Sequence, residues 1–68
     1  MNAMKKQRIS ERGFERRLAE LIKRVFEPRG GQIETFEQAG ILTTNLGLVV
    51  TLPNGQEFQL TIVESTRD

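Results

Sequence analysis

Proton transfer and nucleophilic attack at neutral pH are most often the work of histidine and cysteine, and this chain of 68 residues contains neither. The hydroxyls of Ser10, Thr43, Thr44, Ser65 and Thr66 have no recognisable base nearby in the sequence. Glu34 and Glu37 could be imagined on a cation, but a spacing of three sends them to opposite faces of an extended strand. No Asp-rich loop or Glu-x-x-His pattern accompanies them. Gly30-Gly31 precedes no Lys-Ser or Lys-Thr pair and opens no helix, so it reads as a hinge and not as a phosphate cradle. The expectation is a non-enzymatic chain with no cofactor, no metal and no small-molecule substrate.

The residues with most capacity for recognition are basic. Residues 1 to 30 hold nine Lys or Arg against four Glu, whereas residues 31 to 68 hold one Arg against four Glu and one Asp. Lys5, Lys6 and Arg8 precede the first structured element, and Arg12, Arg16, Arg17, Lys23 and Arg24 spread over its polar face with Glu20 and Glu27 among them. Such a stripe can attach to phosphate or to an acidic protein surface by counterion release. It is equally what a solvated helix face looks like, with Arg16–Glu20 and Glu20–Arg24 pairing four residues apart. Base recognition also wants stacking groups, and the chain has no Trp, Tyr or His. Phe14, Phe26 and Phe58 are expected in the core, which leaves Phe36 free. No helix-turn-helix pair, basic heptad region or ribonucleoprotein signature is present.

Two elements must position these groups. Between Ser10 and Glu27, the residues Phe14, Leu18, Leu21, Ile22, Val25 and Phe26 recur at helical spacing. Ser10 is the expected N-cap with Glu11 in the first turn, and Pro28 followed by Arg29-Gly30-Gly31 ends the helix.

The second element is a hairpin from Leu46 to Val63. Pro53-Asn54-Gly55 suits a three-residue loop, a type I turn closed by a left-handed glycine. That loop sets Leu52 against Gln56, Val50 against Phe58, Leu48 against Leu60 and Leu46 against Ile62, so one face is almost wholly apolar. A two-residue loop would scatter the apolar side chains over both faces. The other face carries Gly47, Val49, Thr51, Glu57, Gln59, Thr61 and Val63, largely solvated with some apolar residue left over.

Residues 32 to 37 read as an edge strand. A helical turn from Phe36 to Ala39 competes for part of that segment, because Thr35 and Gln38 fit a capping box and Gly40 could end it. Ile41 to Thr44 is either a lead-in to the hairpin or part of its first strand. The architecture expected is α+β, one amphipathic helix packed on a three-stranded antiparallel meander. Residues 1–9 form a flexible basic arm, 10–64 one small domain and 65–68 a disordered tail.

A helix and a hairpin of these lengths are each marginal alone, and a chain this short buries only about 60% of its unfolded surface. With no disulfide or zinc to reinforce it, self-association or a bound partner is the natural source of extra stability. The absence of a long apolar run makes the cytosol the default location. The functional expectation is therefore a protein-binding module of the adaptor or inhibitor type that forms a homodimer, with nucleic-acid binding through the basic arm and helix as the alternative. Its candidate partner-binding residues are Lys5, Lys6, Arg8, Arg12, Arg16, Lys23, Phe36, Val49 and Val63.

Overall fold

The computed structural model describes residues 8 to 65. Helix α1 spans Glu11–Phe26, a 3₁₀ turn follows at Glu27–Arg29, and three strands complete the fold: β1 (Gln32–Thr35), β2 (Leu46–Thr51) and β3 (Glu57–Ile62). The sheet is an antiparallel meander in the order β1-β2-β3, so the expected α+β architecture is present and β2 is its central strand.

Helix α1 starts where its capping chemistry dictates. Ser10 has an extended backbone, and its Oγ accepts the Gly13 N–H at 2.9 Å, satisfying one of the donors a helix leaves open at its first turn. Replacing Ser10 by alanine should lower stability by about 1 kcal/mol, read as an earlier urea midpoint with an unchanged slope. Pro28 lies inside the 3₁₀ turn, after which Gly30 turns left-handed and the Gly31 N–H bonds back to the Phe26 carbonyl at 2.8 Å.

The hairpin takes the register that the apolar pattern demands, with Leu46, Leu48 and Val50 opposite Ile62, Leu60 and Phe58. Leu52 donates to the Gln56 carbonyl at 2.8 Å, and Gly55 donates to the Leu52 carbonyl at 2.9 Å. The φ of 94° at Gly55 is the left-handed conformation that a three-residue loop needs and that a side chain would strain.

The two expectations for residues 32 to 40 are each realised in part: the strand ends at Thr35, short of Glu37, and a turn takes residues 36 to 40. Strand β1 pairs Ile33 with Val50 and Thr35 with Leu48, and then the capping box closes. Thr35 Oγ1 accepts the Gln38 N–H and Gln38 Oε1 accepts the Thr35 N–H, each at 3.0 Å. The strand stops at Thr35 because the Phe36 carbonyl turns away from Gly47 to accept the Ile41 N–H at 2.9 Å. Residues 41 to 45 form a loop, so the lead-in reading holds and β2 begins at Leu46.

Ala19, Ile33, Leu48 and Val50 form the buried core, with Leu18, Ile22, Phe26, Leu52 and Leu60 packed around them. Leu48, in the middle of the central strand, is fully buried. Helix α1 makes its sheet contacts chiefly with β1 and β2. One helix cannot cover three strands, and the apolar face of β3 is left partly open.

That offset corrects one expectation. Phe14, Leu21, Val25 and Phe58, all assigned to the core, remain 49%, 57%, 56% and 50% exposed. The opposite face of the sheet corrects another. Phe36 and Val49, expected to be free for a partner, are each only 5% exposed. Gly47 has no side chain, and the ring of Phe36 fills the space that a Cβ there would take. Val49 lies on the central strand between its neighbours Glu34 and Gln59, whose side chains flank it.

Candidate interaction surface

The described residues contain no group of three or more His, Cys, Asp or Glu suited to a metal ion. Glu37 sits in the turn after β1, where Arg12 reaches it at 3.4 Å, and Glu34 lies on β1 opposite Val49. No helix among the described residues is long and apolar enough to cross a membrane.

The one buried acid among the described residues is structural. Glu15 is 4% exposed, and its Oε2 accepts the Gly47 N–H at 3.2 Å. The Gly47 carbonyl accepts the Phe36 N–H at 2.9 Å, but the Phe36 carbonyl is turned to the Ile41 N–H and gives nothing back. The Gly47 N–H is thereby released from the strand ladder, and the helix supplies its acceptor.

The sequence-derived basic residues fall into two groups. Lys5 and Lys6 lie outside the described residues. Arg8 is tied to the far end of the chain: its Nη2 meets Glu64 Oε2 at 2.8 Å, and the Glu64 N–H donates to Glu11 Oε2 at 3.1 Å. The carboxylate beside Arg8 is brought from 56 residues away by the end of β3. Arg12, Arg16 and Lys23 share one line on α1, at spacings of four and seven, on the flank nearest β1 as the Arg12–Glu37 contact shows. Arg16, Glu20 and Arg24 form no ion pair with one another among the described residues. Exposed pairs of this kind gain too little to hold two long side chains in one geometry.

The apolar groups lie along the other flank. Phe14, Leu18, Leu21 and Val25 form a continuous stripe on the side of α1 that faces β3. The Glu11–Glu64 contact at the end of β3 places that flank. Below the stripe, Phe58 and Leu60 point up from β3, and a cleft of about 420 Å³ runs between helix and strand, lined by Ile22, Phe26, Val50, Leu52, Phe58 and Leu60. Stripe and strand together make an open apolar ledge with α1 as its wall and β3 as its floor. Val63, just beyond the end of β3, is also exposed, at 65%.

Comparison of the chain with protein-family models, with curated proteins and with solved structures finds no match. The functional reading accordingly rests on this geometry alone.

Of the residues expected to bind a partner, Arg12, Arg16 and Lys23 are brought together, while Phe36 and Val49 are withdrawn into the fold. Phe14, Leu21, Val25 and Phe58 are the surface residues that sequence reasoning assigned elsewhere. A signal for them existed. At about 100° per residue, the apolar positions from Leu21 round to Phe26 span about 140° of α1, wider than the roughly 100° stripe a helix needs to sit on one sheet.

Proposed function

We propose that this chain is a non-enzymatic interaction module that binds another protein through the ledge between α1 and β3. The observation that carries the reading is the exposure of four large apolar side chains, each by about half: Phe14, Leu21 and Val25 along α1, and Phe58 in the apolar cleft between α1 and β3. On the order of 400 Å² of side-chain surface is open there, within the range of the largest apolar patch on a typical monomer, which is often functional. The ledge replaces the opposite sheet face as the docking surface, because Val49 and Phe36 are not available to a partner.

A photo-crosslinking residue placed at Leu21 or Phe58 should capture protein in the native host, and the same residue at Thr61, on the opposite face of β3, should not. Equal yields from all three positions, or none from the ledge, would dismiss the reading.

A second reading is favoured by the row of Arg12, Arg16 and Lys23, in which Arg16 and Lys23 have no ion-pair partner among the described residues. That row could meet phosphates without reading bases. Mixed-sequence DNA or RNA is expected to bind weakly, with steep loss as salt rises. Tight binding at moderate salt, abolished by Arg12→Gln, Arg16→Gln and Lys23→Gln together, would put nucleic acid first.

A further inference from the structure

We infer that Asn54-Gly55, at the tip of the β2–β3 hairpin, is a modification site: Asn54 deamidates through the backbone of Gly55 when the hairpin opens and is held unreactive while the turn is closed. The reaction needs only water. The Gly55 nitrogen loses its proton and attacks the Asn54 Cγ, a bond forms between them, and Nδ2 leaves with a proton as ammonia. Water then opens the cyclic imide at either carbonyl, giving aspartate on the original backbone or isoaspartate with the main chain rerouted through the side chain. Glycine is the residue that lets this ring close, because no Cβ stands beside the attacking nitrogen. Asn2 and Asn45 are followed by Ala3 and Leu46, whose side chains obstruct the same attack. Asn54 and Gly55 are both exposed, so water reaches the imide.

The closed turn engages every polar atom that the reaction uses. The Gly55 N–H donates to the Leu52 carbonyl at 2.9 Å, which keeps the proton on the nucleophile. Asn54 Oδ1 accepts the Gln56 N–H at 3.0 Å and Nδ2 donates to Gln56 Oε1 at 2.9 Å, so the side-chain amide is held at both ends. Gln56 is itself anchored, since its carbonyl accepts the Leu52 N–H at 2.8 Å. Ring closure must free the first proton and turn the amide out of its two bonds, so reaction waits on local opening. The two products then differ. Aspartate keeps an oxygen for the Gln56 N–H and suits the turn as asparagine does. Isoaspartate adds a methylene to the main chain of a loop whose length sets the pairing of β2 with β3.

The test incubates the full chain in mildly alkaline buffer, in parallel with denaturing guanidinium chloride and with sodium chloride at matched ionic strength. Peptide mapping by mass spectrometry follows the exchange of ammonia for water at Asn54 and Asn45. Asn54 should convert in denaturant and at least ~10-fold more slowly in the native sample, with Asn45 unchanged in both. Gly55→Ala in denaturant, where folding plays no part, should slow the conversion severalfold. The isoaspartyl product, separated and returned to native buffer, should melt at a lower temperature than the aspartyl product. Equal rates in the two samples overturn the gating, an unreactive Asn54 in denaturant overturns the site, and products that melt together overturn the effect on register.

Discussion

Replacing Gly47 by alanine is expected to destabilise this domain by about 3 kcal/mol or more, although intrinsic preference points the other way. Gly47 sits in β2 with an ordinary negative φ, and alanine is the better strand residue by roughly 0.5–1 kcal/mol in the absence of crowding. Space decides the sign. A Cβ at this position overlaps the Leu60 carbonyl oxygen on the neighbouring strand and two carbons of the Phe36 ring. The ring could swing out, leaving Val49 and Gly47 to water, but the Leu60 carbonyl moves only if the β2–β3 ladder opens at its Leu48–Leu60 pair. For a domain of this size each kcal/mol lowers the melting temperature by about 4–8 °C, so a drop of about 15 °C or more is expected. Adding Phe36→Ala to Gly47→Ala should recover only part of that loss, since the backbone collision persists. A Gly47→Ala variant as stable as the parent would mean that neither the Phe36 ring nor the Leu60 carbonyl crowds Gly47.

The second large effect is expected at Glu15. Glu15→Leu keeps the bulk of the side chain and removes the acceptor, stranding the Gly47 N–H in a buried position at a cost of about 1–3 kcal/mol. Glu15→Gln retains a carbonyl oxygen at the same reach and should stay within about 1 kcal/mol of the parent. Urea denaturation compares the three proteins, and amide exchange at Gly47 locates the cause: it should quicken in the leucine variant and remain slow with glutamine. Equal stability of the leucine and glutamine variants would show that the hydrogen bond from Gly47 contributes nothing net. Because Glu15 joins α1 to the start of β2, this one contact also fixes where the helix sits along the sheet. The offset that opens the ledge therefore depends in part on a carboxylate.

Several features were legible in the residues because short-range chemistry fixes them. Ser10 caps α1 through a donor three residues away, Thr35 and Gln38 close a box at the same spacing, and Gly55 completes a loop whose register the apolar alternation of β2 and β3 requires. Each depends on neighbours within a few positions, where spacing and stereochemistry leave few alternatives. The competition between strand and turn at residues 32 to 40 could not be resolved locally. The same Thr35 ends one and caps the other, and only pairing with β2 shows that both occur.

The sequence by itself determined that there is one amphipathic helix and one hairpin of known register, and that His and Cys chemistry is absent. Which apolar residues meet water was a tertiary decision. A hydrophobic stripe states that a side chain favours burial but not whether enough partner surface exists, and α1 is narrower than the sheet beneath it. Seating the helix over β1 and β2, with Glu15 on Gly47 and Arg12 on Glu37, left Phe14, Leu21, Val25 and Phe58 outside. The chain's return past β3 likewise gave Arg8 its partner in Glu64, 56 residues distant, a pairing that no local spacing encodes.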